Sequence, residues 1–434
     1  MTHMITAKKL LRLGLFCLSL LLWLPHDAAA AWQPQVKVGL SSGQTGVNLS
    51  VSGAAGELVS GDEIIARVPI GQNIAITWDA KGMLVNGQIL GNGTLQLRPA
   101  AAAKDAVKKE KTPASSKQNK QKKNAVKNAT AANASQKATP ADAFRVRING
   151  TVYRGSAEVL HKQNGLTIVN ALGVEDYLRG VIPIEMSAEW PDEALKAQTI
   201  AARTFALKNR SRHKAEGYDI CATTHCQSYR GVAVERAPSD AAVADTRGLV
   251  LTYDGSLIDA LFHTDSGGMT EDSEAVWGTK LPYLRAVREP EVETQPWTIT
   301  LPQATVSARL SSSKGAGRKI GDIKKIELGD LHFNDKQADM TLGRTRSGRV
   351  RTAIFIGRNG SLSITGNELR KLFGLHSTMF TLKLEHDNVV FQGYGSGHGL
   401  GLSQFGAKRL ADKGETAAQI LKHYYTGVDI KNLY

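Results

Sequence analysis

The chain has 434 residues, of which 42% are hydrophobic, and a formal net charge of +14. Length and apolar content allow two or three domains with sizeable cores. The charge does not mark a nucleic-acid binder. Residues 100 to 142 hold ten lysines against Asp105, Glu110 and Asp142, a net +7, residues 1 to 31 hold a net +2, and only +5 remains for everything else.

In chain order, Lys8, Lys9 and Arg12 precede an apolar run from Leu13 to Leu24, and Ala28 to Ala31 follow. That is the layout of a secretory signal peptide over residues 1–31, with cleavage expected after Ala30 or Ala31. The run is short for a bilayer span, so contact with a membrane is expected only through this segment if it stays uncleaved. An exported protein of the cell envelope follows, periplasmic or extracellular. Residues 32–99 form a β-rich segment of short strands, such as "QVKVGL" and "NIAITW", between Gly, Asn and Asp turns. Residues 100–142, rich in Lys and Ala, have almost no large apolar side chain and read as a disordered linker. It is either a solvated tether or a cationic contact for wall polymers, lipid headgroups or acidic stem peptides. Strand patterns resume at "FRVRINGTVYRGSAEVL" and "GLTIVNALG". The linker is therefore an insertion between strands of one domain or a true boundary.

The stretch "VIPIEMSAEWP", residues 181 to 191, sets Glu185 among Val181, Ile182, Ile184 and Met186, with Glu189 just before Trp190 and Pro191. Pro191, Asp192 and Glu193 suit a helix start, and "EALKAQTIAARTFALKNR" is rich in helix formers. Leu195, Ala202 and Phe205 share one stripe, expected to face the core. Lys196 and Arg203 lie seven apart on another, either a solvated face or the lining of a groove that begins near Glu185. In the loop "DICATTHCQSY", Cys221 and Cys226 read equally as a disulfide or, with His225 and His213, as a zinc site. Adjacent His225 and Cys226 reach one ion only if the loop turns sharply.

Beyond residue 247 strands return, with a helix at "GNELRKLFGL" and two closing helices at "SQFGAKRLADKG" and "ETAAQILKHYYTG". The mixture without regular alternation points to an α+β fold. The loop "HTDSGGMTEDSEAVWG" carries Ser266, Gly267 and Gly268 beside several acids, as a solvated turn or a binder of sugar hydroxyls. A triad of Ser266, His398 and Asp265 lacks a nucleophile-elbow motif and is set aside. In "FQGYGSGHGLGLSQFG", glycines at 393, 395, 397, 399 and 401 would bare one face of an extended strand, with Tyr394, Ser396 and His398 on the other. That strand is either packed against another or forms a groove wall for a glycan.

Four ordered stretches, "LGVEDYLRGVIPIEMSAEWPDEALKAQTIAARTFAL", "DICATTHCQSYRG", "SGGMTEDSEAVWG" and "GYGSGHGLGLSQFGAKRLADKGETAAQILKHYYTG", together closely resemble the SpoIID/LytB family. The resemblance covers residues 143–434, more weakly 34–99, and the lysine-rich insertion has no counterpart in the family pattern. It implies a protein directed at peptidoglycan glycan strands. One branch looks like lytic transglycosylases that cut the MurNAc-GlcNAc bond and leave 1,6-anhydro-MurNAc ends. The other is described as enhancing an N-acetylmuramoyl-L-alanine amidase, which would make a cell-wall amidase the partner. The family's essential acid falls on Glu185, and no cofactor is required for catalysis. A structural zinc is implied at Cys221, His225 and Cys226, with His213 as fourth ligand and a Cys221-Cys226 disulfide as the alternative. Substrate contacts are then expected from Lys196, Gln198 and Arg203 on the helix, from Ser266, Gly267 and Gly268, and from Tyr394, Gly397, His398, Gly399, Ser403 and Gln404. A carboxylic acid among apolar neighbours stays protonated more readily, as a general acid requires.

Overall fold

The computed structural model describes residues 32–91, 93–101, 143–289, 295–313, 320–329, 331 and 343–434. The expected signal peptide, and all but the first two residues of the expected linker, lie outside the described residues. The architecture is α+β, built on three apolar cores. Among the described residues no helix is long and apolar enough to cross a membrane.

The first core lies between two mixed-origin sheets. Strand Gln35–Gln44 runs antiparallel to Gly165–Gly173, with Val36 opposite Leu172, and these two with Val38 face the second core rather than this one. Strand Gly46–Ser52 pairs with Arg145–Ile148, setting Leu49 opposite Ile148 and Val51 opposite Val146. Strand Thr94–Pro99 pairs with Ser156–Lys162 through Leu97 and Ala157. Every one of these seams joins a strand from before residue 100 to one from after residue 142. The expected division into a segment 32–99 and a separate region 143–434 is thereby corrected: the lysine-rich stretch is an insertion within one sandwich. Alternate residues turn inward, and each fully buried Leu49, Ile76, Leu97 or Val146 adds about 1.5–3 kcal/mol over leaving it in water.

The second core surrounds the long helix Asp192–Lys208. Thirteen of its 17 residues are buried, because helices Val174–Arg179, Ala237–Asp245, Gln404–Asp412 and Ala417–Tyr424 and strand Leu249–Tyr253 pack around it. Its alanines let those neighbours approach closely, and Leu195, Ala202 and Phe205 are buried as expected. Pro191 is the cap rather than the first helical residue. The C-terminal strand Asp429–Asn432 pairs with Leu249–Tyr253, and the Tyr434 hydroxyl donates to Glu175.

A third core, over residues 297–391, joins two three-stranded sheets to helices Gln303–Ser313 and Gly366–Phe373. The second of these helices opens on a reciprocal capping box between Thr365 and Glu368 and ends at Gly374 in left-handed geometry. The glycine run departs from expectation. Only Gly393 lies in a strand, and Gly395, Gly397, Gly399 and Gly401 all have positive φ, so the chain coils through successive left-handed turns instead of extending. A side chain at Gly397 would put its Cβ 2.6 Å from that of His263, and one at Gly399 would meet the Arg349 guanidinium at 2.5 Å.

Candidate active site

Glu185 is the last residue of the one-turn helix Ile182–Glu185, after which Met186 swings to extended backbone. The turn is anchored by Val181, Ile182 and Met186, all buried. Ile184, expected to screen the carboxylate, is 41% exposed and does not. The carboxylate instead faces a cleft of about 500 Å³, whose lining combines Phe205 of the long helix and Asn209 that caps it, Thr224, His225 and Cys226, Asp259, Leu261 to Thr264, Trp277, Arg370, and Ser396 to His398 with Gln404. Burial pushes its pKa above the ordinary range, against the Ser228 amide, the Gln404 side chain and the Arg230 charge, which pull it down. The Ser228 N–H donates to Glu185 Oε1 at 2.8 Å. Glu189, by contrast, is exposed, and its N–H donates to the Ser187 hydroxyl oxygen at 3.3 Å.

Ser228 belongs to the cysteine loop, which ties the site to the sandwich. Strand Ile220–Cys221 lies parallel to the Gln35–Gln44 edge, with Val38 opposite Ile220 and Gly39 opposite Cys221. A turn closed by the Cys226 amide on the Thr223 carbonyl at 3.0 Å lets His225 and Cys226 point to one place. Both cysteines are free thiols. His225 Nδ1 is 3.6 Å from each of the Cys221 and Cys226 sulfurs, and His213 Nε2 is 3.4 Å from Cys226 Sγ. All four donor atoms lie within 4.8 Å of one another. Tetrahedral zinc with Zn–S and Zn–N bonds of about 2.3 and 2.0 Å separates its ligands by roughly 3.3–3.8 Å, so the donor set fits that ion. His213 Nδ1 faces Glu216 Oε1 at 3.5 Å, the outer carboxylate that commonly orients a ligating imidazole.

The expected substrate contacts divide. Gly397, His398 and Gln404 line the cleft with Glu185. The helix residues do not. Arg203 is fully buried, forks onto Glu175 at 2.9 and 2.7 Å and donates to the Leu249 carbonyl at 3.1 Å. A desolvated guanidinium with its partners satisfied is a core fixture, and breaking the pair strands a charge. Lys196 is held by Asp192 at 2.6 Å and Asp245 at 3.3 Å, away from the cleft lining. Gln198 has no exposure. Ser266 is buried and its hydroxyl accepts the Gly268 N–H at 3.0 Å, so it shapes a turn rather than serving a triad. Gly267 presses against the backbone of Tyr394 and Gly395, Gly399 accommodates Arg349, and Ser403 caps the following helix through the Gly406 amide at 3.2 Å. Gly268 and Tyr394 also lie outside the lining.

Sequence reasoning missed Asn209, Arg212, Asp259, His263, Trp277 and Arg370. Asn209 and Arg212 follow the last residue of the long helix, Lys208, where the chain turns, so helical spacing from Phe205 was no guide to their place in the cleft. Nothing local flagged Arg370. His263 and His398, their ring centroids 5.4 Å apart, are both depressed in pKa first by burial, His398 to about 4; His263 is lowered further by His398 and Arg349, and His398 by Arg370 and Arg349. They are neutral at physiological pH. His263 lies 3.1 Å from the Leu400 carbonyl through Nδ1, which must therefore carry the proton.

Comparison with known proteins bears on this geometry. A family profile described as stage II sporulation protein matches residues 162–253, which include Glu185 and the cysteine loop. The chain is 34% identical over 292 residues to an uncharacterized protein of Brachyspira hyodysenteriae, covering 65% of this chain and 73% of that one. It is 32% identical over 277 residues to stage II sporulation protein D of Bacillus amyloliquefaciens, covering 60% and 75%. With an amidase enhancer of Bacillus subtilis it shares 33% identity over 296 residues, 58% of this chain but only 40% of that longer protein.

Proposed function

Because the chain belongs to the stage II sporulation protein D family, we propose that it is an exported lytic transglycosylase of peptidoglycan that acts in cell-wall remodelling, with Glu185 as its general acid and base. The observation that carries this reading is a half-buried carboxyl with a raised pKa, fixed by a backbone amide at the wall of an open cleft. Protonated Glu185 gives its proton to the bridging oxygen as the C1–O bond of MurNAc breaks, and the GlcNAc hydroxyl leaves. The carboxylate so formed then takes the proton of the MurNAc C6 hydroxyl while that oxygen bonds to C1. The acid is regenerated, and a 1,6-anhydro ring is the product. Ser228 holds the carboxylate through both halves of this cycle, and Gln404 steadies it.

We further propose that His213, Cys221, His225 and Cys226 hold zinc. When bound, the ion supplies a structural cross-link. Its role would be to fix the loop that carries Ser228, two residues after Cys226.

A second reading is favoured by one relative, the amidase enhancer: a wall-binding protein that stimulates an amidase, with Glu185 serving structure alone. Incubating the mature protein with peptide-free glycan strands, beside Glu185→Gln, separates the two. Mass spectrometry should find 1,6-anhydro ends with the wild type only. Their absence, with amidase stimulated equally by both proteins, would sink the enzyme reading.

A further inference from the structure

Arg370 stands on the last turn of helix Gly366–Phe373 and lines the cleft that Glu185 faces. Among the described residues no carboxylate lies within ion-pair distance of its guanidinium. It is only partly exposed, and burial alone presses its pKa down. A half-buried cation without a counter-charge is costly, and a helix C-terminus offsets little of that cost. Lys371 serves the helix end equally well from an exposed position outside this cleft. His263, also in the cleft lining, is neutral and has no partner for its buried Nε2 among the described residues, so it adds no charge to the Arg370 side of the cleft. A cation without a counter-charge on the cleft wall describes a surface made for a ligand with an acid group.

Resting on the glycan-cleaving reading of this site, we propose that Arg370 forms a carboxylate subsite and makes the cleft selective for acid-bearing muramoyl units over neutral amino sugars. A guanidinium binds a carboxylate through two parallel charge-assisted hydrogen bonds. That fork has two sources in the wall: the lactyl carboxylate of a peptide-free muramoyl unit, or the carboxylates of an attached stem peptide.

Binding is measured in the Glu185→Gln background, where no strand is cut, against chito-oligosaccharides, peptide-free glycan strands, their methyl esters and peptide-bearing strands. An acid-bearing strand should bind on the order of tenfold more tightly than the neutral oligomer. Arg370→Gln should erase that preference and leave neutral binding unchanged. Lys371→Gln should change nothing. Loss of the preference on esterification assigns the lactyl group, and preference only for peptide-bearing strands assigns the peptide. The ester comparison needs no Arg370 variant, so it stands even if Arg370→Gln fails to fold. Equal binding of charged and neutral ligands, equal weakening of all ligands by Arg370→Gln, or a Lys371→Gln effect of the same size would overturn the proposal. Cleavage is read separately as anhydro ends, so the subsite and the reaction fail independently.

Discussion

Glu185 combines raised pKa with retained solvent access. Its replacement by Gln keeps an oxygen for the Ser228 amide but removes the transferable proton, and cleavage should fall by about 10²- to 10⁴-fold in the strand-digestion assay. Stability should move the other way. A carboxyl whose folded pKa is raised binds more protons folded than unfolded, so stability falls as pH rises from its ordinary value near 4.5 through the folded value. Chemical denaturation should therefore find Glu185→Gln at least as stable as wild type near neutrality, with the difference gone at low pH. His398 carries the opposite sign. Its folded pKa of about 4 lies below the ordinary 6.5, so its contribution is intact above 6.5 and is lost as pH falls toward 4. A His398→Gln chain should show a flatter stability profile across that window. Asp259 lines the same cleft and accepts from the Tyr283 hydroxyl at 3.2 Å. An anhydro-forming reaction needs no second carboxylate, so Asp259→Asn should cleave within a few-fold of wild type. A loss as large as that of Glu185→Gln would indicate hydrolysis by a carboxylate pair instead.

At the level of elements, the long helix and the glycine run show what the sequence expressed and what it hid. Leu195, Ala202 and Phe205 announced a buried stripe through their spacing. Arg203 announced nothing, because the partner that makes its burial tolerable, Glu175, sits on another helix 28 residues earlier. A cation on a helix reads as outward until such a partner is seen. Alternate glycines read as a strand because the pattern has period two, yet glycine enters left-handed backbone just as freely, and the close approach of His263 and Arg349 selects that form. The four metal-type ligands were legible one by one, while the turn at Thr223 that lets neighbours His225 and Cys226 converge was not. Cys226→Ser should abolish stoichiometric zinc in metal analysis and lower strand cleavage at least about tenfold, since the loop that presents Ser228 loses its anchor.

Across the whole molecule, the least legible feature was the interleaving of strands on either side of residues 102–142. Each strand was visible in its own alternation, but pairing is a property of distant partners, and Gly165–Gly173 gives no local sign that it will meet Gln35–Gln44. A chain cut within 102–142 at an introduced protease site should therefore remain a non-covalent complex of two pieces, co-eluting on size exclusion under native conditions. Removal of residues 32–101 should cost the remainder its cooperative thermal transition, because strands Arg145–Ile148, Ser156–Lys162, Gly165–Gly173 and Ile220–Cys221 then lose their partners.

The short parallel seam between Gln35–Gln44 and Ile220–Cys221 has a kinetic meaning as well as a static one. Asp219 and Lys37, which brace it through the Lys37 amide on Asp219 Oδ2 at 2.9 Å, are 182 residues apart. Contacts of such long range are made late, once the entropy of closing the intervening chain has been overcome by other structure. The cysteine loop should therefore gain protection from hydrogen exchange no earlier than the Gln35–Gln44 strand it pairs with, as pulse-labelling during refolding would show. Glu185 is thus held by Ser228 on a loop whose own seat is the first of the described strands, more than 140 residues away in the chain.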